Sequence, residues 1–170
     1  FIITAGEESG LVGAKELNPE HIIAKYGFAV DSDGKVGGIV VAAPFQAKVN
    51  VKVFGKTAHA GVAPEKGISA ITVAAKAVAQ LKLGRLDEET TANIGRFEGG
   101  KATNIVCDEV TIFAEARSID EAKLNAQTAH MKETFERVAA ENGARAEVEV
   151  SLSYPGFRVT EDDQVVQIAQ

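Results

Sequence analysis

Residues 106–143 read VCDEVTIFAEARSIDEAKLNAQTAHMKETFERVAAENG. Val110, Ile112, Ala114 and Ala116 fall on one side of this stretch, and Thr111, Phe113, Glu115 and Arg117 on the other. That alternation is the pattern of a strand with one buried face. Asp120 then stands where a helix N-cap belongs. Leu124, Met131, Phe135 and Val138 form an apolar stripe at helical spacing, and Gly143 follows Asn142 as a stop. A strand running into one long helix is therefore expected from Val106 to Asn142.

The same logic extends in both directions. Upstream, Thr91 to Phe97 reads as a short strand. Gly67 to Leu83 is Ala-rich with Ile71, Ala75, Val78 and Leu81 on one face, a helix that Gly84 would end. Phe45, Ala47, Val49, Val51 and Val53 alternate with Gln46, Lys48, Asn50 and Lys52. Downstream, Ala146, Val148, Val150 and Leu152 alternate again. Residues 42–154 thus give β-α-β-β-α-β, the order of a ferredoxin-like α+β unit. Its expected form is a four-stranded antiparallel sheet with two helices on one face.

Residues 1–41 differ. An apolar strand, Phe1 to Ala5, leads to a helix with Leu11, Val12, Ala14 and Leu17 on one face, and then to a second strand, Gly27 to Val30. Strand, helix, strand reads as part of an α/β layer. Tyr154-Pro155-Gly156 punctuates the other end, so residues 155–170 are expected to return elsewhere. No initiator Met precedes Phe1, and the chain ends at Gln170 inside an amphipathic pattern. An internal segment of a larger protein is the expectation.

Composition narrows the function classes. Of 170 residues, 45% are hydrophobic and 25% charged, which excludes a disordered or collagen-like chain. Lys and Arg number 18 against 24 Asp and Glu, a net charge of −6, unlike a nucleic-acid binder. No apolar run reaches the ~18 residues of a membrane span. With one cysteine, Cys107, there is no disulfide framework, and a cytoplasmic location is expected.

Four features carry chemistry. Glu7-Glu8 follows a strand, where one carboxylate could hold a cation while the other moves a proton. It also suits an acidic helix start. Asp31, in Asp31-Ser32-Asp33-Gly34, follows the second strand; the quartet also makes an ordinary turn, and no bidentate Glu follows at calcium-loop spacing. His59 sits in a small-residue loop, Gly55-Lys56-Thr57-Ala58-His59-Ala60-Gly61, followed by Pro64-Glu65 and Gly67. The loop lacks the first glycine of a phosphate loop. Gly99-Gly100-Lys101-Ala102-Thr103-Asn104-Ile105-Val106 precedes the strand that ends near Arg117. Arg117 can grip a carboxylate in a bidentate fork, or pair with Glu115 or Asp120 at the surface.

Taken in order, these motifs resemble the M20 metallopeptidases, and within them the peptidase T (tripeptide aminopeptidase) branch. The resemblance covers nearly the whole chain, and the histidine loop is its most specific part. It implies a zinc-dependent hydrolase of short peptides with two metals per site. Glu7 matches the general base, and Glu8 and Asp31 match ligands of one zinc. His59 matches a histidine that reaches the partner subunit's site in dimers and stabilises the oxyanion. Asn104 and Arg117 match substrate-holding residues, Arg117 for a carboxylate. It also implies that residues 1–41 are part of the catalytic α/β domain, 42–154 the lid or dimerisation domain, and 155–170 the start of the return.

The H-x-D motif of the family is missing, since His21, His59 and His130 are the histidines present and none has that context. Glu8 and Asp31 cannot complete a zinc site, so the segment alone is expected to be inactive. Two alternatives share these features: an M20 amidohydrolase acting on acylamino acids, and a stand-alone ferredoxin-like dimerisation or sensor module.

Overall fold

The structure is a computed structural model that describes residues 1–8, 10–30 and 34–170. In chain order the helices are α1 (Val12–Lys15), α2 (Ala70–Val78), α3 (Glu121–Glu141) and α4 (Gln164–Ala169). The strands are β1 (Ala42–Ala43), β2 (Phe45–Phe54), β3 (Gly84–Arg85), β4 (Thr90–Gly99), β5 (Glu109–Ser118), β6 (Arg145–Tyr154) and β7 (Phe157–Arg158). The chain forms two compact units, Ala42–Arg158 and Phe1–Val41 with Val159–Gln170.

The larger unit is an antiparallel sheet in the order β3-β4-β5-β2-β6. Its four long strands keep the ferredoxin-like arrangement expected from sequence; β3 adds a two-residue fifth strand against Thr91 and Ala92 of β4. Central β2 and β5 pair over ten residues, from Phe45↔Ser118 to Phe54↔Glu109. Their alternation sorts the faces: Val49, Val51, Val53, Val110, Ile112 and Ala116 are buried. Helices α2 and α3 pack over that side, adding Ala70, Ala74, Leu124, Met131, Phe135 and Val138 to the core. Lys48, Asn50, Lys52, Thr111, Phe113, Glu115 and Arg117 alternate with the buried strand residues and lie on the open face.

The caps explain the helix ends. Asp120 accepts from the Ala122 and Lys123 amides at 2.8 and 3.2 Å, and Gly143 ends α3 at φ +68°. α2 is shorter than the expected Gly67–Leu83. Ser69 takes the cap position, its hydroxyl accepting from the Thr72 amide at 3.2 Å. Gly84 does not close α2 but opens β3.

β1 and β7 form a two-stranded ribbon, Ala42↔Arg158 and Ala43↔Phe157. The ladder therefore places Phe157 and Arg158 in the larger unit, although the punctuation at Tyr154-Pro155-Gly156 pointed to a boundary there. Arg158 reaches Glu89 at 2.7 Å, and Lys123 meets Glu89 at 2.9 Å and Asp87 at 3.4 Å.

The smaller unit departs from the sequence reading. Among its described residues there is no strand, so Phe1 to Ala5 and Gly27 to Val30 are not strands here. A strand exists only as part of a hydrogen-bonded ladder, and neither segment has a strand partner among the described residues. The expected amphipathic helix is a single turn, α1, and buries no side chain. Asp163 anchors the entry to α4, accepting from the Thr160 amide at 2.7 Å and hydroxyl at 3.0 Å.

Phe135 is fully buried between sheet and helix. Phe135→Ala is expected to destabilise the larger unit by about 3–5 kcal/mol, the usual cost of deleting a core aromatic. Chemical denaturation of both proteins measures it.

Candidate functional site

The candidate residues of the larger unit gather at opposite ends of β5. At its Glu109 end, the β2–α2 connection folds onto the β4–β5 connection. The Gly55 amide donates to the Asp108 carbonyl at 2.8 Å, and Lys56 and Ile68 exchange both backbone bonds at 2.8 Å. The Ala60 amide donates to the Asn104 carbonyl and the Val106 amide to the Ala58 carbonyl, both at 2.9 Å. His59 and Ile105 thereby form an isolated bridge. His59 and Asn104, 45 residues apart in sequence, are held as neighbours by backbone alone.

Glycine is required in this wrap. A Cβ at Gly55 would lie 2.1 Å from the Ile68 carbonyl oxygen. One at Gly67 would lie 2.9 Å from the Ala58 Cβ and 3.0 Å from a Val106 methyl.

The His59 ring is exposed, and its Nδ1 accepts from the Gly61 amide at 3.2 Å. An acceptor at Nδ1 places the proton of the neutral ring on Nε2. The loop thus leaves Nε2 as the donor nitrogen of an exposed ring.

Arg117 occupies the other end of β5, eight residues from Glu109. At strand rise that is roughly 27 Å from the His59 rim. Its Nε and Nη2 donate to the two oxygens of Glu115 at 2.8 and 3.3 Å. Gln46 Nε2 donates to the second of those oxygens at 2.6 Å. Burial pushes the Glu115 carboxyl up, but the hydrogen bond and charge of Arg117, with Gln46 and Lys48, outweigh it and hold its pKa below the usual glutamate value. The stabilisation is present above the ordinary Glu pKa and is lost only as pH falls through the depressed one. The pair therefore survives into acid where a free glutamate is already protonated.

In the smaller unit the side chains of Glu7 and Glu8 are exposed, and the Glu7 carbonyl accepts from the Gly10 and Leu11 amides at 2.9 Å. Asp31 lies outside the described residues. Sequence parity put Arg117 and Glu115 on one face. The part of Gln46 was missed, because its place opposite Arg117 depends on strand register.

Residues 46–143 match the family model described as peptidase dimerisation domain, of the M20 group. This chain belongs to the M20 peptidase dimerisation-domain family. Over all 170 of its residues it is 66% identical to the uncharacterized protein YqjE of Bacillus subtilis (strain 168), covering 46% of that protein. The crystal structure of aminopeptidase PepT from Bacillus cereus ATCC 10987 superposes with a TM-score of 0.91 at 68% identity, over 99% of this chain and 45% of that one. A tripeptidase from Staphylococcus aureus subsp. aureus mu50 gives a TM-score of 0.95 at 54% identity, with the same coverages. The chain spans about half the length of these relatives.

For a member of an M20 family the donor set matters. Among the described residues no three His, Cys, Asp or Glu side chains come together as a metal-binding group. A structural or catalytic zinc needs at least three protein ligands, so the described residues do not fit a zinc centre by themselves. Among the described residues, too, no helix is long and apolar enough to cross a membrane. Zinc titrated into this 170-residue chain is expected to give no stoichiometric heat in calorimetry; a tight one-to-one isotherm would contradict that donor count.

Proposed function

We propose that this chain is the dimerising, substrate-clamping segment of a zinc-dependent M20 aminopeptidase that hydrolyses short peptides with metal-activated water. Its likeness to PepT and to the tripeptidase supports the substrate class. On this reading the larger unit, Ala42–Arg158, is the lid domain, and residues 1–41 and 159–170 belong to the catalytic domain. Glu7 is the general base, and Glu8 and Asp31 are two of the zinc ligands, the others lying outside this chain. The segment alone is inactive, and the intact enzyme is cytoplasmic.

One observation carries the clamping role: the separation of His59 from Arg117. A tripeptide spans only about 10 Å when extended. His59 and Arg117 of one chain, roughly 27 Å apart along β5, cannot hold the same short substrate. A homodimer resolves this, His59 and Asn104 of one lid meeting a peptide whose carboxylate is gripped by Arg117 of another. His59 Nε2–H donates to the oxyanion as it forms, where a placed donor acts most strongly.

The outer edge of β4 is the pairing surface on this reading. β3 and Leu86 cover Thr90 to Ala92 of that edge, while Phe97 further along β4 is exposed, as is Ile71 of α2 beside Gly100. β4 also runs directly into the Asn104 loop, so pairing there delivers His59 and Asn104 across the two-fold axis.

In the intact enzyme His59→Ala is expected to lower kcat by about 10²–10³, as removal of an oxyanion donor does, with little change in KM. A change confined to KM would reassign the histidine to ground-state binding. Phe97→Asp is expected to turn the dimer into a monomer in sedimentation. Leu152→Asp, on the far edge of the sheet, should leave the dimer intact.

A further inference from the structure

We propose that Glu115 and Gln46 are positioning residues that hold Arg117 ready for the free carboxylate terminus of a peptide, an inference that rests on the aminopeptidase reading above. Glu115 takes the side edge of the guanidinium, through Nε and Nη2. Both Arg117 hydrogen bonds among the described residues go to that carboxylate, so the two N–H groups of Nη1 and one of Nη2 remain for a second acceptor. Those donors form the end edge of the fork, whose spacing matches a second carboxylate.

The support behind Glu115 separates this arrangement from an ordinary surface ion pair. Gln46 is only 8% exposed, and it stands directly opposite Arg117 in the β2–β5 ladder. Its amide fixes the Glu115 oxygen at 2.6 Å. The Arg117 and Glu115 side chains are 42% and 36% exposed, so their pairing contributes little to stability. What the contact fixes is direction. An arginine already held loses less rotamer freedom when a ligand arrives. Lys48 lies opposite Glu115 in the same ladder. With Arg117 it leaves the cluster one positive charge in excess, so an anion is attracted despite the glutamate.

The chemistry selects for a peptide with a free α-carboxylate over the same peptide as its C-terminal amide. The test uses the intact dimeric enzyme with trialanine and trialanine amide. Wild type is expected to prefer the free acid, and Arg117→Ala to erase the preference. Glu115→Gln should lower kcat/KM for the acid about tenfold, through KM, with the amide unaffected, because a loosened fork weakens charge-assisted bonds only. Gln46→Met, with an unchanged melting temperature, should move the same ratio in the same direction and serves should Glu115→Gln not fold. An acid-to-amide ratio that neither variant moves, while Arg117→Ala does, overturns the positioning role and leaves the aminopeptidase reading standing. No cleavage of either peptide by wild type overturns that reading and this inference with it.

Discussion

The ten-residue antiparallel pairing of β2 with β5 holds Val49, Val51 and Val53 beside Ala114, Ile112 and Val110. Everything else in the larger unit follows from that register. A slip of one residue would turn the buried set to solvent and the charged set into the core. Because the valines face the helices, Gln46, Lys48, Glu115 and Arg117 must share the open face. Because the strands end together, at Phe54 and Glu109, the loops beyond them meet. The pairing that builds the core therefore also brings His59 to Asn104 and Gln46 to Arg117.

Much of this was legible because strand and helix periods leave a mark on residue order. The alternation in Phe45–Val53 and Val106–Ala116 gave the faces, and Asp120 and Gly143 gave the long helix. What escaped depends on partners distant in sequence. Gln46 looks like any outward polar residue until register sets it across from Arg117. The wrap of the His59 loop around Asn104 is made of backbone bonds, which carry no side-chain signature. Gly84 read as a helix stop, but Ser69 and the early end of α2 left it to begin a strand instead. Phe1 to Ala5 and Gly27 to Val30 have strand-like composition without a ladder among the described residues, and composition alone cannot supply one.

The two ends of β5 handle charge in different ways. At the His59 rim the donor is a ring N–H, its tautomer in the neutral ring set by the Gly61 backbone amide. At the Arg117 end the donor is a permanent cation steadied by a carboxylate and a buried amide. A single placed N–H suits charge that appears only during a reaction, whereas a fixed cation suits charge that the ligand brings with it. The chemistry of each end thus agrees with the role proposed for it.

The β1–β7 ribbon has a consequence of another kind. Ala42 and Arg158 are paired across a ladder, so the chain enters and leaves the larger unit at adjoining points, only about 5 Å apart. A module whose ends adjoin can be spliced into a host loop, or joined end to end and reopened elsewhere, without stretching either partner. The geometry is that of a cassette, portable between scaffolds as a single piece.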